Sequence, residues 1–276
     1  MRPCVRGSIV LFAMASMAAG CAGMPRPKLP FTDSAEALSL HALSRAVVQS
    51  IQAEARVDQR GAHGRIKGTV LMFVQRPDRV RFDVMTQFGP AAILTSDGER
   101  FAFSDLRERR YLTGPTCPKN IARLLNIPLN VEETTLLLLG GTPVLAQQRA
   151  RIDWNSDGFY RLHITGRDGR RQEVDFGISE HDAKLPKARQ QLRLLRSEIY
   201  DARGDTQWRV SYGEYRPLQL GTLRVAMPFL VRVEQPKIGA DTLIRFKQMN
   251  LEATVPQDAF MQVPLPGMHQ EDANCD

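Results

Sequence analysis

The 276-residue sequence has little that points to catalysis. Its five histidines, His41, His63, His163, His181 and His269, are scattered singly. None forms an H-x-x-x-H or H-E-x-x-H pair, so no metal or general-base cluster is supported. No G-x-S-x-G elbow, Walker loop or G-x-G-x-x-G is present. Asp153, Asp157, Asp168 and Asp175 fall at strand ends and turns, where solvation accounts for them. These absences predict a binding protein with no catalytic residues, no metal and no cofactor. The net charge of +7 is spread along the chain, as in 107-RERR-110 and 187-KARQQLRLLR-196. Such interspersed arginines read as solvated strand and loop faces, with no nucleic-acid footprint. No internal Gly/Ser linker and no fixed-period repeat divides the chain, which predicts one domain.

The N-terminus carries Arg2, Arg6 and an apolar run of ten, 8-SIVLFAMASM-17. A run this short cannot span a bilayer, which takes about 20 residues. It reads as an export signal over residues 1–20. The small residues of 18-AAGCAG-23 lead into a cysteine, the pattern of a bacterial lipobox, although Ala18 stands where Leu is preferred. Cys21 would then receive the lipid and become the mature N-terminus. Ordinary signal cleavage, leaving a plain thiol, is the alternative. Residues 21–33 form the tether, and the three prolines of 24-MPRPKLP-30 keep it extended. Ala22 follows the cysteine where an inner-membrane retention signal would place aspartate, so sorting implies the outer membrane, facing the periplasm. With Cys4 removed and Cys21 acylated, only Cys117 and Cys275 remain for a disulfide, and free thiols are equally compatible with the sequence.

Periodicity describes the rest. In 34-SAEALSLHALSRAVVQSIQAEA-55, Leu40, Leu43, Val47 and Ile51 recur at helical steps and predict one amphipathic helix. From Arg56 the period becomes two. Strands are predicted at 67–75, 79–85, 91–96, 100–105, 148–154, 159–165, 171–178, 192–201, 206–215, 227–235 and 241–253, separated by turn residues, with the short 109–113 as a continuation of the first meander. A helical pair interrupts them at 118–128 and 130–141, the second with Asn130 and Glu133 as a capping box and Gly140-Gly141 as its stop. The pattern predicts a mostly β domain with helices over residues 34–263. Its architecture is a single open, strongly curved antiparallel sheet, a half-barrel of about ten to eleven strands, wrapped over helices. Residues 264–276 form a polar C-terminal tail. The turn 88-FGP-90 is unusual, because turn tips favour small or polar residues. Phe88 is either folded back on its own sheet or held out toward something apolar.

Three stretches carry a family resemblance: 81-RFDVMTQFGPAAILTSDGERFAFSD-105, 121-IARLLNIPLNVEETTLLLLGG-141, and 207-QWRVSYGEYRP-217 with 226-AMPFLVRVEQ-235. Together with the lipobox and first helix they resemble the LolB-like and LolA-like outer-membrane lipoprotein family. Residues 180–191 and the end, 254–276, go beyond the family pattern. The resemblance implies an outer-membrane lipoprotein that takes acyl chains or lipidated proteins in an apolar half-barrel cavity, leaving open whether a periplasmic carrier delivers them. Val70, Met72, Val80, Phe82, Val84, Ile93 and Leu94 would be the cavity walls, or else plain core. It also implies a membrane-facing role for Phe88 at its loop tip. A structural or assembly lipoprotein that binds a partner protein is the alternative, and it predicts a filled interior with an apolar patch elsewhere.

Overall fold

Alternating segments pair into hairpins, and the hairpins join into one sheet. The computed structural model describes residues 26–61, 64–127 and 129–275, so the expected signal segment and Cys21 lie outside them. The chain begins with α1 (Ser34–Ala46), then β1 (Ser50–Gly61), β2 (Gly64–Gln75), β3 (Arg79–Thr86) and β4 (Gly89–Ser96). Next come β5 (Arg100–Asp105), β6 (Arg110–Pro115), α2 (Pro118–Leu125) and α3 (Val131–Leu138). Strands β7 (Gln147–Trp154), β8 (Tyr160–Gly166), β9 (Arg171–Gly177), β10 (Arg193–Tyr200) and β11 (Thr206–Gly213) follow. The last are β12 (Arg216–Leu220), β13 (Leu223–Met227), β14 (Leu230–Gln235), β15 (Ala240–Asn250) and β16 (His269–Asp272).

Fourteen of these strands form one open sheet, ordered β16-β6-β5-β4-β3-β2-β1-β15-β14-β11-β10-β9-β8-β7, and β12 pairs only with β13. Neighbours are antiparallel except β16, which lies parallel to β6. The sheet must be bent. The eight-residue helix α3 packs on β2 and β3, while the carbonyls of Leu137 and Gly141 accept from the Tyr212 hydroxyl of β11 at 3.2 and 2.7 Å. Strands β3 and β11 stand five places apart, about 24 Å on a flat sheet. A helix about 10–12 Å across reaches both only if the sheet wraps around it. Inside the curve, Ile51, Met72, Phe82, Leu94, Phe176 and Phe246 join Ile121, Leu125, Leu137 and Leu138 of the helices in one buried cluster.

The outer face is polar and paired across strands. Arg161 and Arg196 both donate to Asp175, Arg209 to Glu234 and Arg232 to Asp241. These arginines are cross-strand partners; an exposed pair such as Arg232–Asp241 contributes little, whereas the buried Asp175 depends on its two guanidinium partners.

Four expectations change. The sheet and its satellite hairpin hold sixteen strands among the described residues, well above ten to eleven. The first helix stops at Ala46, and residues 50–55 belong to β1. Its buried face is Ser34, Ala37, His41 and Arg45, and Leu43 is 68% exposed. Asp33 caps it, its carboxylate accepting from Ala35 N at 2.8 Å. The polar tail is also structured, because β16 completes the sheet edge.

Between β15 and β16 the chain crosses the outer face of β3–β6 as a strap. Gln262 organises it, donating to Ile93 O, Thr95 Oγ1 and Ala102 O and accepting from Ser104 Oγ at 2.8 Å. Tyr111 OH donates to Gln262 O, and Arg81 donates to Ala259 O. Thr95, Ala102, Ser104 and Tyr111 are therefore buried although they point away from the core. Gly114 permits the closest approach, since a side chain there would meet the Ala273 carbonyl. The disulfide Cys117–Cys275 fastens the strap's end, with Cα atoms 6.1 Å apart.

Candidate functional site

The seven proposed cavity walls do not surround a cavity. Val70, Met72, Val80, Phe82 and Leu94 are fully packed in the core, and Val84 sits at its edge. Ile93 lies on the opposite face. Register pairs Phe82 with Leu94 and Asp83 with Ile93, and adjacent strand residues point to opposite sides. Ile93 is thus under the strap, its carbonyl accepting from Gln262 at 3.3 Å.

Phe88 stands out from the molecule with 90% of its surface exposed, which excludes the folded-back arrangement. The turn holding it is braced. Thr86 Oγ1 donates to Gly89 O at 2.8 Å and accepts from Phe88 N at 3.2 Å, and Gly89 supplies the required φ of 112°.

The apolar opening lies elsewhere, where the far end of α3 meets α1. A cleft of about 510 Å³ is lined by Leu38, Ala42 and Ala46 of α1, Leu136 of α3, Val144 of the α3–β7 connection and Phe176 of β9. Its polar members are Ser39, His41, Arg45, Arg76, Thr142 and Gln147. Sequence reasoning missed all of these, because α1 and the α3–β7 connection meet only through the fold.

Two buried bases form the floor. His41 Nδ1 lies 3.2 Å from Leu192 O, and its ring meets Phe176 at a tilt of 43° with centroids 4.8 Å apart. Arg45 donates through Nη1 to Ala226 O at 2.9 Å. Burial, reinforced by the Arg45 charge, pushes His41 down from 6.5 to about 4, against weaker pulls from the Leu192 and Gly140 carbonyls. Burial likewise lowers Arg45 and Arg76 below the usual arginine range.

This arrangement fixes a pH dependence. The unfolded chain protonates residue 41 near 6.5, the folded chain only near 4. The unfolded state therefore binds more protons between those values, so this contribution is complete above pH 6.5 and is lost as pH falls toward 4. The loss at pH 4.5 amounts to a few kcal/mol. In urea titrations at pH 7 and 4.5, wild type should lose that much more stability than His41→Gln. Equal losses would refute the linkage.

No family model matches the sequence, and no curated protein matches it. Solved structures do. A LolA superfamily protein from Nitrosomonas europaea is similar at 12% identity and a TM-score of 0.51, over 81% of this chain and 96% of that one. A DUF1329 family protein from Desulfovibrio piger is similar at 12% identity and a TM-score of 0.53, over 81% and 95% of the two chains. At such identity the likeness speaks of architecture alone. The open sheet wrapped over three helices among the described residues is a LolA-like fold.

Proposed function

We propose that the protein is an acyl-binding lipoprotein of the cell envelope that acts by binding alone. The α1–α3 cleft carries this reading: an apolar recess of about 510 Å³ beside the helices of a LolA-like fold. That volume falls in the range of roughly 300–1,000 Å³ used for small ligands. On this reading Cys21 is the lipidated N-terminus in the outer membrane, the proline tether sets the domain off the bilayer on the periplasmic side, and Phe88 is the tip that enters the membrane interface. The role is that of a LolB-like receptor for acyl chains or lipidated proteins.

Two experiments test it. Gentle extraction from membranes followed by mass spectrometry should find an acyl species bound at near-stoichiometric amounts, and ligand-free protein would count against the reading. Cys21→Ala should move the protein to the soluble periplasmic fraction with its thermal melt unchanged, because the substitution leaves intact the part of the tether that does pack, Pro27 and Phe31, the latter buried against Tyr160 in the core. Continued sedimentation with membranes would reject the anchor.

A partner-binding assembly lipoprotein is favoured by a different observation. The interior behind the six core-facing candidates is packed with buried side chains, and the strap presents Met261, Val263 and Leu265 to solvent in alternation. Changing these three to serine should leave ligand content intact if the acyl reading holds, and should abolish partner capture if the assembly reading holds.

A further inference from the structure

The floor of the α1–α3 cleft holds more positive charge than the fold uses. Arg45 is only 6% exposed, and its Nε is buried with no hydrogen-bond partner. His41 Nε2 alongside is also buried without one. Among the described residues Arg45 takes part in no carboxylate ion pair; its neighbours are Arg76 and Tyr215, a phenol that burial keeps neutral. Arg76 stands at the same cleft, half-buried, its guanidinium donating among the described residues to the carbonyls of Val48 and Arg45. Elsewhere in this molecule arginines meet carboxylates, as Arg161 and Arg196 do at Asp175. A buried guanidinium with an unpaired donor is costly, and a bound anion would offset that cost.

We propose that this cleft binds a single-chain anionic amphiphile. The carboxylate or phosphate head sits against Arg45 Nε and Arg76, and the chain runs along Leu38, Ala42, Leu136, Val144 and Phe176. Guanidinium matches both heads, because its planar fork donates to two oxygens side by side. His41, held neutral by burial, donates from Nδ1 to Leu192 O, so Nε2 presents only a lone pair and the anionic head is recognised by Arg45 and Arg76. The inference rests on the acyl-binding reading above and names the ligand that the site selects.

The test uses displacement of the neutral dye N-phenylnaphthylamine from the intact domain by dodecanoate, dodecyl phosphate and methyl dodecanoate. Both anions should displace it at about tenfold lower concentration than the ester, the effect of one charge-assisted pair. The ratio between the two anions tells carboxylate from phosphate. Arg76→Gln, at a half-exposed position that folding tolerates, should bring the anions to within about threefold of the ester and leave the ester unchanged. Ala42→Trp, exposed on α1, should block all three by filling the mouth. Equal potency of anions and ester in the wild type would overturn the inference while sparing the acyl reading. Failure of all three to displace would overturn both. Anion binding untouched by either variant would place the site elsewhere and defeat the assignment.

Discussion

Replacing Cys117 and Cys275 together by serine is expected to destabilise the protein by about 5 kcal/mol. The bond joins residues 158 apart, and the chain-entropy relation gives about that value for a loop of such length. The native state also loses the anchor that holds β16 against β6 and the strap across the outer face. Two measurements check this. Urea titration should show the midpoint falling at constant slope, and hydrogen exchange should rise first across 254–275. A loss below about 1 kcal/mol, with exchange unchanged, would show that strap contacts suffice without the bond.

The strap also shows where sequence reading stops. Its strand, 269-HQED-272, has no apolar residue, so no periodicity can announce it. Only the pairing with β6 makes it a strand. Conversely, the hairpins of β2–β5 and the Asn130–Glu133 capping box were legible, because each depends on residues a few places apart. Residues 47–55 satisfied both periods. Val47 and Ile51 are spaced as in a helix, yet Ile51, Ala53 and Ala55 alternate, and pairing with β2 and β15 decided for the strand. Hairpin β12–β13 was missed, with Pro217 masking its first strand. The cleft was illegible for another reason. Its walls come from α1, α3 and β9, and its charged floor reads in sequence as the polar side of a helix.

Phe82→Ala and Phe88→Ala should differ by several kcal/mol although both delete the same ring. Phe82 is fully enclosed by the core, so its truncation should cost about 3–5 kcal/mol. Phe88 is 90% exposed, and its removal should leave the melt nearly unchanged, as should Phe88→Glu, since a charge at a wet tip carries no desolvation penalty. The function expected of Phe88 then has a separate readout. Both tip variants should bind acyl ligand normally yet release it to liposomes more slowly, glutamate more so than alanine, because burying the ring in the interface is worth about 1.5–3 kcal/mol. Unaltered transfer by Phe88→Glu would remove the tip from any membrane role. A large loss of stability in Phe88→Ala would contradict its exposure.

The central position of β1 has a consequence for how the chain is made. Its two edges pair with β2, which follows at once, and with β15, whose residues 241–250 arrive some 190 positions later. An emerging chain therefore carries two half-sheets, one ending in β1 and the other growing toward β14, each with an open row of backbone donors and acceptors. Such edges invite pairing with other chains, and distant pairings form slowly. The interval before β15 is synthesised is when the polypeptide is most exposed to aggregation, and truncation before residue 240 would make that state permanent.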